Sequence, residues 1–200
     1  MTRSSLRVLT LVTVLLTLSH AARAQSQPPA TRGLAVAVES VIPTKVEALL
    51  AAPNVVLVTD YYRIDMRFGP SMRMDAVIVE AVGTRTRLKG LRVQVRDNES
   101  RSRQEGTSFI DLDELTKLAG AVTSMAELAA RWTGQDDRQA SELTFTSAGG
   151  FRLAIRQSAR IPRAYLSTGL LDPVVTSIEV AELVTLKLAF EEALAILHRK

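Results

Sequence analysis

Ile110-Asp111-Leu112-Asp113-Glu114-Leu115 and Ile178-Glu179-Val180-Ala181-Glu182-Leu183 decide how this chain is built. The second stretch lies 68 positions after the first, and the match runs on, Leu118 answering Leu186 and Ala121 answering Ala189. An acid followed by apolar residues at 3.6-residue spacing is the mark of an amphipathic helix start. After Asp111, a suitable N-cap, the residues Leu112, Leu115, Leu118, Ala119, Val122, Met125, Leu128, Ala129 and Trp132 fall on one stripe. Gly134 is placed to end that helix. The second helix reads from about Glu179 to Leu197, with Val180, Leu183, Leu186, Phe190, Ala193, Leu194 and Leu197 inward. His198, Arg199 and Lys200 stand at its C-terminal end, where positive charge complements the helix dipole.

Upstream of each helix the period changes to two, the signature of half-buried strands. In the first block Val55–Phe68 alternates from Tyr62 onward, with Tyr62, Ile64, Met66 and Phe68 against Arg63, Asp65 and Arg67. Met72–Val82 is apolar on both faces near its end and reads as a central strand. Leu88–Asp97 places Leu91, Val93 and Val95 inward and Arg92, Gln94 and Arg96 outward, and Asp97–Gly106 reads as a polar loop. In the second block Leu143–Ser147 and Phe151–Gln157 flank Ala148-Gly149-Gly150, a hairpin signal. Ile161–Ser167 and Val174–Ile178 follow. The expectation is an α+β fold of antiparallel sheet segments and two long helices. It contains an internal duplication of a β-β-β-β-α unit, over residues 55–134 and 141–200. Leu91–Arg96 also resembles Phe151–Arg156, at an offset of 60 that conflicts with 68.

Towards the N-terminus, Thr44 and Glu47 have capping-box spacing, so Thr44–Ala52 reads as a short helix stopped by Pro53-Asn54. Leu34–Ile42 is apolar and ambiguous, and residues 25–33 read as a linker before a single domain over 34–200. Residues 1–24 read as a cleaved signal peptide. Arg3 and Arg7 precede the apolar run Val8–Leu18, and Ala22-Arg23-Ala24 fits cleavage after Ala24. The expectation is a periplasmic or extracellular protein with no stable transmembrane anchor after cleavage. The full chain carries 25 basic and 21 acidic residues; removing three signal arginines leaves 22 against 21. A net charge of one argues against nucleic acid as the partner of an exported protein.

The 200-residue chain holds no cysteine, which excludes disulfides, thiolate metal sites and cysteine catalysis. Of two histidines, His20 leaves with the signal and His198 stands at a helix end. Serine and threonine nucleophiles therefore lack a base. Asp111, Asp113 and Glu114 match helix capping better than a calcium or magnesium site. Asp60, Asp65, Asp75 and Glu80 interleave with Arg63, Arg67 and Arg73, which points to cross-strand ion pairs. Trp132 closes a core stripe, and no cofactor motif or metal ligand set is present. The feature left over is a set of outward arginines: Arg63, Arg67, Arg92, Arg96, Arg152 and Arg156, with Tyr61 and Tyr165 nearby. On neighbouring strands they would make one arginine stripe, suited to carboxylate or phosphate groups.

The order of elements over residues 55–197 is similar to the Whirly-type single-stranded DNA-binding fold, a doubled four-strand-plus-helix unit. That resemblance implies a fold and carries over no binding residue. Thr107–Leu115 together with Phe145–Phe151 also resembles a group of secreted bacterial proteins, which implies no named activity. The expected function is a non-enzymatic binding or scaffold module, without cofactor, for an anionic ligand or a protein partner. Two alternatives stay open: a single-stranded nucleic-acid binder and a carboxylate-dependent hydrolase.

Overall fold

The computed structural model describes residues 43–65, 71–97, 104–132, 140–157 and 162–200. Residues 1–42, which hold the expected signal, the linker and Leu34–Ile42, lie outside the described residues, as do Met66, Arg67, Phe68 and Gly134. Residues 40–200 form one compact unit. Helix α1 (Lys45–Leu50) precedes strands β1 (Leu57–Arg63), β2 (Met72–Ala81), β3 (Arg87–Arg96) and β4 (Glu105–Asp111). Helix α2 (Leu112–Ala130) follows at once. Strands β5 (Ser141–Thr146), β6 (Arg152–Gln157), β7 (Pro162–Thr168) and β8 (Val174–Glu179) then lead through a 3-10 turn (Val180–Glu182) into α3 (Leu183–Arg199).

Each strand pairs antiparallel with its neighbour in sequence, giving two four-stranded sheets ordered β1-β2-β3-β4 and β5-β6-β7-β8. The fold is α+β with a repeated four-strand unit. The 68-residue offset aligns α2 with α3: Leu115, Leu118, Val122, Met125 and Ala129 are buried, and so are Leu183, Leu186, Phe190, Ala193 and Leu197. The competing offset of 60 matches β3, the third strand of its sheet, to β6, the second of its own. It reflects the alternation common to half-buried strands, not the repeat.

Three expectations need correction, the third concerning the acids at the start of α2. The segment from Glu105 onward is a strand, where the reading ended a loop at Gly106 and assigned nothing to Thr107–Ile110. Its inward positions begin with glycine and serine, so no apolar alternation marks it. Ser108 is buried and its Oγ accepts a hydrogen bond from the Gly169 N–H at 3.1 Å. Leu128, expected on the inner stripe of α2, is 40 % exposed. Leu128 lies off the buried line of Met125 and Ala129, which stays in the core to the end of the helix.

The inner faces of both sheets and both long helices share one hydrophobic core. Helix α3 packs on α2 and lies on β2 and β3, while α2 contacts β3, β4 and β5. Phe151 meets Phe190 edge to face, with centroids 6.2 Å apart. Strand β2 is buried on both sides, as its sequence implies. Met74, Ala76 and Ile78 face the main core, and Val77 and Val79 are covered by Val46, Leu49 and Leu50 of α1.

The acids at the start of α2 do not cap that helix. Asp111 occupies the N-cap position but makes no side-chain hydrogen bond to α2. Its carboxylate instead accepts from the backbone N–H groups of Lys45 at 2.8 Å and Val46 at 3.1 Å, two orphan donors of α1. Asp113 pairs with Lys45 Nζ at 3.1 Å, and Glu114 accepts from the Ala148 N–H at 3.0 Å. Three neighbouring acids thus tie the first helix and the β5–β6 turn to one point. The capping box of α1 itself is present, Thr44 and Glu47 each accepting from the other's backbone. Asp111→Ala leaves both donors unpaired and is expected to cost about 3 kcal/mol or more, because hydrogen bonds to a charged acceptor carry about 1.5–3 kcal/mol each. Hydrogen exchange should show the loss confined to α1 and the Val77–Val79 face. Unchanged protection there would contradict this role.

Candidate functional site

Residues two apart on a strand share a face, so each outward arginine is placed by its register. On the first sheet Arg63 stands opposite Asp75, and Asp75 opposite Arg92. The Arg92 guanidinium lies 4.0 Å from the centroid of the Tyr61 ring. Asp75 is only 1 % exposed and takes hydrogen bonds from both Arg73 and Arg92, at 3.1 and 2.9 Å. A buried carboxylate held by two guanidiniums is a counter-ion, committed to its partners. Arg96 pairs with Glu105 at 2.8 Å, and Glu80 stands 3.9 Å from Arg87. Among the described residues no group of three or more acids and histidines could hold a metal ion.

On the second sheet Arg152, Ala154 and Arg156 alternate along the outer face of β6. The Glu142 carboxylate of β5 accepts from Arg152 Nη2 at 2.5 Å and from Arg156 Nε at 2.7 Å. The Thr144 hydroxyl donates to the same carboxylate at 2.7 Å. Together the Thr144 hydroxyl and Arg156 hold the Glu142 carboxyl below the usual carboxylate range. The Arg156 guanidinium lies 5.5 Å from the centroid of the Tyr165 ring.

The six arginines therefore do not form one stripe. Strands β3 and β6 belong to different sheets, so the structure separates two patches. Tyr61, Arg63, Arg92 and Arg96 lie on the first, Arg152 and Arg156 on the second; Arg67 lies outside the described residues. Period-two alternation gives a residue's face and says nothing of which sheet its strand joins.

The second patch borders the larger hollow; the one beside Arg96 on the first sheet holds only about 70 Å³. A groove of about 430 Å³ is lined by Arg152, Ala154 and Arg156 of β6, Tyr165 and Ser167 of β7, and Thr146. Gly150, Gly169, Leu170, Pro173 and Val175 complete it. The hollow follows from side-chain length. Ala154 is a small floor between two long arginines on one strand, and the register sets it beside Thr144 and Tyr165. The far wall is apolar, with Leu170 and Val175 both almost half exposed. Arg152 Nε is shielded from solvent and has no hydrogen-bond partner among the described residues. The groove thus offers cationic donors, one aromatic face and an aliphatic wall in a volume typical of small-molecule sites.

The sequence reading identified Arg152, Arg156 and Tyr165 here and missed Ala154, Ser167, Leu170, Pro173 and Val175. A small residue between two arginines at strand spacing was the one visible signal. Trp132 packs partly buried against the core, and its carbonyl accepts from Gln157 Nε2 at 3.0 Å. Among the described residues no helix is long and apolar enough to cross a membrane. Compared with known proteins, the chain matches no family model, no curated protein and no solved structure.

Proposed function

We propose that this is an exported, non-enzymatic binding protein whose receiving site is the groove on the second sheet, and that its ligand is anionic. The observation that carries this is Arg152. Its guanidinium and that of Arg156, both about half exposed, line one groove beside an apolar wall. Carboxylate and phosphate oxygens are the acceptors an arginine fork fits best. Export is supported by the n-region, apolar run and small-x-small site of residues 1–24.

The nucleic-acid reading has the element order behind it and a mature charge of one against it. The hydrolase reading needs a free carboxylate pair, whereas Asp75 and Glu142 are each bound by two arginines.

The protein recovered from the periplasm of a producing bacterial host should begin at Gln25. Calorimetric titration with inorganic phosphate should give saturable binding. Arg152→Gln with Arg156→Gln should weaken it by at least about tenfold, the loss of one charge-assisted contact. Equal affinity in the double variant, or no binding by the parent, would overturn the reading. A binding slope steep in salt with single-stranded DNA would select the nucleic-acid alternative.

A further inference from the structure

We infer that the ligand is an amphipathic acid: one carboxylate or phosphate head carrying an aliphatic or aromatic body. This rests on the anion-binding reading above and goes beyond it. The groove is chemically split. Arg152 and Arg156 supply donors at the β6 strand, while Leu170, Pro173 and Val175 form a wall with no charge. A bare inorganic anion would use the first part and leave the second wet. Exposed apolar side chains gathered at a concave site gain most from covering by an apolar ligand body. Ala154 keeps the floor between the two parts low, and Tyr165 presents a ring face beside it.

Glu142 then acts as the built-in competitor. Its carboxylate already sits on both arginines, so an arriving head group must share or displace it. A head group alone therefore gains little from that exchange and binds weakly. The apolar wall supplies the additional attraction that makes it succeed, which is why selectivity falls on acids with a body.

The test uses octyl phosphate below its micelle concentration, inorganic phosphate and octyl glucoside, each titrated calorimetrically into the whole exported protein. Octyl phosphate should bind at least about tenfold more tightly than inorganic phosphate, and octyl glucoside should not bind measurably. Ala154→Leu, which fills the floor, should erase the advantage of the octyl chain. Leu170→Ser does the same at a position that is almost half exposed. Glu142→Gln should tighten octyl phosphate severalfold. Equal affinity for octyl and inorganic phosphate, both still dependent on Arg152 and Arg156, overturns this inference and leaves the anion site standing. Octyl phosphate binding indifferent to those arginines overturns both. Cosedimentation with phosphatidic acid vesicles distinguishes the source. Groove-dependent capture places the acid in a bilayer, and absence of capture beside octyl phosphate binding makes it a free acid; both support the class.

Discussion

Phe190→Ala should destabilise the protein by about 3–5 kcal/mol, the range for removing a fully buried aromatic ring. Phe190 has no exposed surface and lies on the inner stripe of α3. Its ring meets that of Phe151, just before β6, edge to face, so it joins the last helix to the second sheet, while the same helix lies on β2 and β3. Its neighbours on the stripe, Leu186 and Ala193, are themselves fully buried. A loss of this size is a large fraction of a domain's stability, which is of the order of 5–15 kcal/mol. Urea unfolding followed by Trp132 fluorescence measures it. Phe190→Leu, closer in volume, should cost less than half as much. A cost below about 1 kcal/mol for the alanine variant would mean the two units do not share this core.

Gly149→Ala should be nearly as damaging, and for a different reason. A methyl group there would lie 2.0 Å from the Phe109 carbonyl oxygen and 2.9 Å from the Thr44 methyl. The obstruction is β4 backbone, which cannot rotate away. The β5–β6 turn must lift off β4, and the adjacent bond from Ala148 N–H to Glu114 goes with it. The expected cost is about 3 kcal/mol, at the upper end for overpacking. Gly120→Ala is the control. It lies within α2 with nothing near the added methyl, so it should stabilise by about 0.5–1 kcal/mol. If both substitutions shift the urea midpoint the same way, the close approach of the turn to β4 is wrong.

What the sequence made legible is local. Alternation, an apolar run or a turn signal marked seven of the eight strands, and helical spacing marked both long helices, each of which presents a single apolar face. Strand β4 escaped because its inward positions are Gly106 and Ser108. The two acid-led helix starts revealed the repeat. The task of Asp111 stayed hidden because its partners, the N–H groups of α1, lie more than 60 residues away. The site divides in the same way. Arg152 and Arg156 were visible as outward residues of one strand. The apolar wall was not, since Leu170, Pro173 and Val175 reach the groove only through the β7–β8 turn and the pairing of β8 with β7. Sheet membership is a long-range property, and it is what turned one expected arginine stripe into two patches.

The location of bound anion tests the central claim most directly. Amide chemical shifts of the nitrogen-15-labelled protein, followed during titration with inorganic phosphate, report that location residue by residue. The groove reading predicts the largest shifts at Thr146, Arg152 to Arg156 and Tyr165 to Gly169. Shifts centred instead on Tyr61, Arg92 and Arg96 of the first sheet would contradict it.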